Sequence, residues 1–323
     1  MSLHVLLFVL GLAGLYFGAE SLVRGAARMA RSVGVSALVI GLTVVAFGTS
    51  TPELVVSVTA AIRGQGNLAL GNVVGSNIAN VGLIFALASM IRPLAVDRRV
   101  VRRDLPVMIA GGLALWYLGL DGTIDRMEAA ILVAVFLGYS WLVIELSRME
   151  PPATMTSSGR YIVIDPDTPP RRHVDFALIM LGLAGLIAGA NFLVESSVFF
   201  ARRLGVSEVT IGITIVAIGT SLPELATSAL AAMRGESGIA VGNIVGSNIF
   251  NALGVVGASA AARPLGVPVS LLAFELPVMI AVSALLVPIL WTGRRVTRLE
   301  GAALLAAYVL FLFVSVSQPA ALG

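Results

Sequence analysis

The sequence predicts an all-α membrane protein with ten transmembrane helices, arranged as two inverted five-helix repeats. Three observations carry that expectation. The 323 residues are 58% hydrophobic, with a mean hydropathy of +0.97, and only 12% are charged, about half the ~25% of a globular domain. Apolar runs recur near the ~20 residues a helix needs to cross ~30 Å of hydrocarbon. One half of the chain also repeats the other in register.

The runs are 3–19, 35–62, 67–91, 105–120 and 127–147, then 174–200, 206–233, 238–262, 269–291 and 299–317. The first has no charged leader and no Ala-x-Ala cleavage site before a short apolar core, so it reads as a span rather than a removed signal. The stretch 148–173 holds Pro151-Pro152, Ser157-Ser158-Gly159 and Asp165-Pro166-Asp167 and reads as a polar linker. This divides the chain into a first repeat at 1–147, the linker, and a second repeat at 174–323.

An offset of 171 residues lays 41–83 on 212–254 without a gap, and 24 of the 43 positions are identical. Beyond that core, Arg92-Pro93-Leu94 falls on Arg263-Pro264-Leu265. Gly11, Gly14 and Gly18 fall on Gly182, Gly185 and Gly189. Five spans per unit is an odd number, so the second unit enters the membrane from the opposite face. A shared site then lies near the midplane.

All 21 basic residues are arginine. They gather in loops after the odd-numbered spans, among them Arg24, Arg28, Arg31, the cluster Arg98, Arg99, Arg102 and Arg103, and Arg148, Arg160, Arg171, Arg172, Arg234, Arg294, Arg295 and Arg298. The other side holds only Arg63, Arg126, Arg202, Arg203 and Arg263. By the positive-inside rule the linker is cytoplasmic and both termini lie outside the cell (inner) membrane. The net charge of +3 and pI of 9.8 therefore express topology, and no nucleic-acid partner is expected.

Within the longest apolar runs sit Gly48-Thr49-Ser50-Thr51-Pro52-Glu53 and Gly219-Thr220-Ser221-Leu222-Pro223-Glu224. A carboxylate at membrane depth costs roughly 2.5–3.5 kcal/mol on insertion scales and needs a partner or a purpose. Pro52 and Pro223 lack an N–H, so the carbonyls of Gly48 and Gly219 lose their helical donors and the helices break. No Arg or Lys lies near either glutamate in its span, which excludes a local salt bridge. Freed carbonyls, hydroxyls and one carboxylate, made twice, are the parts of a cation site.

A second motif follows in each half, Gly71-Asn72-Val73-Val74-Gly75-Ser76-Asn77-Ile78-Ala79-Asn80 and Gly242-Asn243-Ile244-Val245-Gly246-Ser247-Asn248-Ile249-Phe250-Asn251. Ser76 and Asn80, like Ser247 and Asn251, share one helix face. The glycines suit close helix packing; Asn80 and Asn251 are expected opposite the carboxylates. These are hard oxygen donors, suited to Ca²⁺, Mg²⁺, Mn²⁺ and Na⁺. With no cysteine, and with His4 and His173 near segment ends, a zinc or copper site is not expected. A flexible cage of two carboxylates fits Ca²⁺ better than Mg²⁺. Two carboxylates are neutralised by one divalent or two monovalent ions, which is the logic of exchange.

The paired GTSxPE and GNxxGSNxxN segments resemble the two α-repeats of the cation/Ca²⁺ exchanger superfamily, on its prokaryotic Na⁺/Ca²⁺ exchanger branch. The likeness spans the ten-segment chain. It implies a secondary antiporter exchanging Na⁺ for Ca²⁺ by alternating access, without a cofactor and without enzymatic activity. It implies that spans 2, 3, 7 and 8 enclose the ions and that spans 1 and 6 slide across them. By motif position, Glu53 and Glu224 would be the central Ca²⁺ ligands, with the carbonyls of Thr49 and Thr220 and the side chains of Asn80 and Asn251. The Na⁺ sites would draw on the carbonyls of Ala46 and Ala217 and on Ser50, Ser221, Ser76 and Ser247. Some members carry Asp at the position of Asn80 or Asn251, so one titratable group is missing here. That weakens proton coupling and leaves K⁺ dependence open. The alternatives are a Ca²⁺/H⁺ or other divalent exchanger, K⁺-dependent Na⁺/Ca²⁺ exchange and, less well supported, a cation channel. The bilayer is the one expected environment; the oligomeric state is open, and a monomer suffices.

Overall fold

Six glycines create the longest contact in the molecule. In the computed structural model, which describes residues 2–149, 172–204 and 217–317, helices α1 (Ser2–Val33) and α7 (Arg172–Arg203) run 32 residues each and meet backbone to backbone. A Cβ on Gly18 would sit 2.7 Å from the Leu186 nitrogen, and one on Gly182 2.6 Å from the Leu22 nitrogen. Gly11 and Gly189 are equally closed, at 2.8 Å from the Leu193 nitrogen and 2.7 Å from the Leu15 nitrogen. Without a Cβ the chains approach closely, which lets dispersion hold two apolar helices that lipid would otherwise solvate equally well.

Both helices are longer than the apolar runs that announce them. At ~1.5 Å per residue each spans about 48 Å, so the end turns leave the hydrocarbon. There Arg28 pairs with buried Asp175 at 2.7 Å. Glu20 pairs with Arg24 of its own helix and with Arg234 of α8 (Leu222–Arg234).

The second span breaks as its proline requires. Helix α2 (Ala37–Thr49) ends at Ser50 and α3 (Thr51–Ile62) starts there, with a bend of 46°. Pro52 occupies the first turn of α3, where its missing N–H costs nothing. The matching break in the second half stands at Ser221, ahead of α8 with Pro223 in its first turn. Residues 205–216 lie outside the described part, as does nearly all of the 148–173 linker. Glycines with left-handed backbone end the helices that follow each break: Gly64 (φ +78°) and Gly235 (φ +79°). Arg263 lies over Gly64 and Arg92 over Gly235, so each half covers the other's turn.

Helices α4 (Gly66–Ile91) and α9 (Ser237–Ala262) form the centre. The apolar window of α9 is 100% buried and that of α4 72%, against 17–33% for the other long spans. Each contains a π-helical turn, Asn80–Phe85 in α4 and Phe250–Val255 in α9, a feature that often marks functional positions. Around them stand α5 (98–118), α6 (Arg126–Met149), α10 (269–293) and α11 (Arg298–Ser317). Two short antiparallel ladders tie the loops: β1 (Leu94–Ala95) to β4 (Arg295–Val296), and β2 (Thr123–Ile124) to β3 (Leu265–Gly266).

Among the described residues, seven helices are long and apolar enough to cross a membrane, or eight if α2 and α3 count as one broken span. The protein is thus an all-helical membrane protein. Two boundaries correct the sequence reading. Helix α5 starts near 98 rather than 105, and α1 runs well past 19, because charged interfacial turns continue a helix that hydropathy alone truncates. The packing expected of the motif glycines holds for Gly242 and Gly246, which lie 2.7 and 2.6 Å from α2 carbonyls as a Cβ would see them. Among the described residues nothing approaches Gly71 or Gly75 in that way.

Gly18→Leu should therefore force α1 from α7 and lower stability by about 1–3 kcal/mol, as overpacking does. Gly138→Ala, where a Cβ would meet nothing within 4 Å, should hold or raise the melting temperature of the purified protein, since Ala is about 1 kcal/mol better than Gly inside a helix.

Candidate functional site

Two carboxylates, from opposite halves of the chain, are buried in the centre of the helices. Glu53 and Glu224 are each 1% exposed. Each begins the helix after its break, Glu53 in α3 and Glu224 in α8, where the positive end of the helix dipole favours a negative charge. The break also turns the serine before each proline toward the other half. Ser50 Oγ donates to Glu224 Oε1 at 2.7 Å, and Ser221 Oγ donates to Glu53 Oε1 at 3.1 Å. These crossed bonds bring the two Pro-Glu motifs together.

One oxygen of each carboxylate is thereby occupied. The others, Glu53 Oε2 and Glu224 Oε2, are buried and have no hydrogen-bond partner among the described residues. No arginine or histidine forms an ion pair with either glutamate there. Buried carboxylates are normally paired or ligate metals, so these two open acceptor oxygens mark the candidate site.

The polar stripes of α4 and α9 line it. Ser221 Oγ also lies 3.3 Å from Ser76 Oγ. Asn80 Nδ2 donates to Asn248 Oδ1 at 2.9 Å, which leaves Asn80 Oδ1 without a partner. Ser247 Oγ and both side-chain polar atoms of Asn251 are also buried and unpartnered among the described residues. The carboxamide oxygens of Asn80 and Asn251 are thus available acceptors, although Asn80 is anchored through Asn248 and not through a glutamate.

Behind this first layer lies a second that the motif reading did not assign. Thr49 Oγ1 donates to Asn243 Oδ1 at 3.0 Å, and Thr220 Oγ1 lies 3.5 Å from Asn72 Oδ1. Asn243 Nδ2 donates to Ser228 Oγ at 3.0 Å and reaches the Glu224 carbonyl at 3.5 Å. Asn72 Nδ2 makes the matching bonds to Ser57 Oγ at 3.0 Å and to the Glu53 carbonyl at 3.3 Å. Asn77 and Asn248 bond each other's backbone carbonyls at 3.2 and 3.4 Å. Identity of these asparagines and serines at both copies of the repeat was the signal that could have found this layer.

The remaining motif positions are less open. Ala46 is fully buried, and its carbonyl accepts from the Ser50 amide at 3.0 Å and from Thr49 Oγ1 at 3.4 Å. Ala217 begins the short helical turn Ala217–Gly219 ahead of Thr220. Among the described residues no cluster of three or more His, Cys, Asp or Glu side chains could hold a metal ion. The acceptors here come from two carboxylates, with amides and hydroxyls in support.

Asn243 is fully buried and bridges both halves. Replacing it by Ala would remove the donor to Ser228 and leave Thr49 Oγ1 only its 3.4 Å bond to the Ala46 carbonyl, and should cost about 1–3 kcal/mol, the usual penalty for unpaired buried polar groups. The melting temperature of Asn243→Ala should fall more than that of Asn72→Ala, whose site is less buried and whose bond to Thr220 is longer.

Known proteins share this architecture over nearly the whole chain. The family model described as "Sodium/calcium exchanger protein" matches residues 3–145 and 174–317. The "Putative antiporter CaxA" of Alkalimonas amylolytica is 36% identical over 98% of this chain and 100% of its own. The "Sodium/calcium exchanger MaX1" of Methanosarcina acetivorans is 34% identical over 97% and 99%. A solved structure of the sodium-calcium exchanger NCX_Mj superposes with a TM-score of 0.83 at 30% identity, covering 98% of both chains. The family match, the near full-length relatives and the common fold agree, and the chain belongs to the sodium/calcium exchanger family.

Proposed function

We propose that this protein is a secondary antiporter that exchanges Na⁺ for Ca²⁺ across the cell membrane by alternating access. The observation that carries the reading is the pair of buried, unpartnered oxygens on Glu53 and Glu224. Ionised, they present two negative charges to one site, with no basic side chain paired to them among the described residues. One Ca²⁺ or two Na⁺ would balance them, and a site that must be neutral to move accepts either load in turn. Ser50 and Ser221 position the carboxylates by holding one oxygen of each. The carbonyls of Thr49 and Thr220 and the amide oxygens of Asn80 and Asn251 complete a hard-donor shell suited to Ca²⁺. Ser50, Ser221, Ser76, Ser247 and the carbonyls of Ala46 and Ala217 serve Na⁺. The bonds that Ala46 already accepts would have to rearrange for it to do so.

In this reading the chain forms ten spans as two inverted five-helix repeats. The exchange of partners between halves supports it: Ser50 with Glu224, Ser221 with Glu53, Asn77 with Asn248. The α1–α7 pair slides across the ion-binding helices, and the glycine contact that holds the two helices backbone to backbone supports their moving as one body. Both termini lie outside and the linker is cytoplasmic, as arginine placement supports.

Proteoliposomes loaded with Na⁺ and diluted into Na⁺-free buffer should take up ⁴⁵Ca²⁺, and Glu53→Gln and Glu224→Gln should each lower uptake at least a hundredfold while still folding. Uptake that follows a pH gradient and ignores Na⁺ would replace Na⁺ coupling by proton coupling. Wild-type uptake in either variant would remove the site assignment. Because the chain has no cysteine, a single Cys at Ser158 reports the linker's side directly. It should react with a membrane-impermeant thiol reagent only from the cytoplasmic face.

A further inference from the structure

The two strand ladders close equivalent turns, and their chemistry differs. In one, Gly122 stands at φ +90° ahead of Thr123–Ile124; in the other, Arg294 stands at φ +48° ahead of Arg295–Val296. The ladder registers, Leu94 opposite Val296 and Leu265 opposite Ile124, make these two positions counterparts. Arg294 is the only non-glycine among the described residues with a positive φ. A side chain in the left-handed region is strained, and such outliers gather where the surroundings put them to use.

The Arg294 side chain lines a cavity of about 360 Å³ with Arg98, Val101, Arg102, Leu290 and Trp291. Their counterparts in the other half, Gly122, Val269, Leu272, Ala273, Leu118 and Gly119, carry no charge, so the fold does not demand arginine there. Among the described residues these three guanidinium groups have no ion pair. Their neighbours do: Arg99 pairs with Asp97 at 2.7 Å and Arg103 with Asp104 at 2.6 Å. Burial would raise the Asp97 carboxyl, but the bonds from Arg99 outweigh it and hold the group below the usual carboxylate range. A topology signal needs arginines only somewhere in the loop. It does not explain three unpaired ones converging on one cavity, one of them in a strained backbone.

We propose that Arg98, Arg102 and Arg294 form a binding pocket for a phosphate group at the membrane surface, carried by an anionic phospholipid. Guanidinium forks match phosphate oxygens in pairs. Basic pockets between spanning helices on the cytoplasmic side suit acidic headgroups. Trp291 is 67% exposed, and interfacial tryptophan sits at headgroup level, which aligns it with the lipid beside the phosphate.

The test is native mass spectrometry of the purified protein with phosphatidylglycerol, comparing wild type, the triple variant Arg98→Gln, Arg102→Gln, Arg294→Gln, and a control that removes the same charge elsewhere on that side: Arg148→Gln, Arg172→Gln, Arg295→Gln. Wild type and control should retain one phospholipid, and the triple variant should lose it at least tenfold. Equal retention, or equal loss, in the triple variant and the control overturns the pocket. Excess inorganic phosphate should not displace the lipid; displacement would overturn the lipid as carrier and assign the site to a free anion. Arg294→Gly relieves the backbone and keeps the question open to measurement if the triple variant fails to fold. It should melt no lower than wild type yet hold phospholipid several-fold more weakly, and unchanged retention would overturn the proposal.

Discussion

A carboxylate buried among apolar helices, with no basic partner among the described residues, is the constraint on which the rest of this molecule depends. Glu53 and Glu224 impose it twice. Two features reduce its cost: the helix breaks that set each glutamate at a helix start, and the serines that donate across the middle. The crossed Ser50–Glu224 and Ser221–Glu53 bonds mean that neither half holds its own carboxylate. A half of this chain without the other would leave a buried hydroxyl and a buried carboxylate unmatched, so the two repeats are bound to one another by polar need as much as by packing.

The second layer gives the first its rigidity. Asn72 and Asn243 each contact the threonine at the opposite half's helix break, a serine from their own half, and the backbone of their own glutamate. Movement of one break is therefore felt at the other. The π turns at Asn80–Phe85 and Phe250–Val255 lie on the same two central helices. They add a residue to the turn where the polar stripe ends, which re-aims the side chains that follow.

Much of this was legible in the sequence. Proline one residue before glutamate fixed the break, the 171-residue offset paired the motifs, and Gly11, Gly14 and Gly18 falling on Gly182, Gly185 and Gly189 marked one contact surface. Other features were not legible, for physical reasons. Hydropathy ended α1 at residue 19 because it does not see ion pairs such as Arg28–Asp175, which carry a helix beyond the hydrocarbon. π turns leave no mark in a 3.6-residue periodicity. That Asn80 anchors on Asn248 depends on a crossing of α4 and α9, which spacing along one chain does not encode. The two-residue strands were too short for any alternation to show.

Glu20 lies between Arg24 of its own helix and Arg234 of α8, and its counterpart by the repeat is Asn191, which has no charge. The molecule's near-symmetry is therefore broken by ion pairs at one end of the α1–α7 pair, those of Glu20 and also Arg28–Asp175, whose repeat counterparts are Phe199 and His4. If that helix pair travels between two positions, the two are not equal in energy. A difference of even 1–3 kcal/mol weights one orientation about 5–150-fold over the other. A transporter built from two like halves would thus face one side of the membrane for most of its time, and its apparent affinity for the same ion would differ when measured from the two sides.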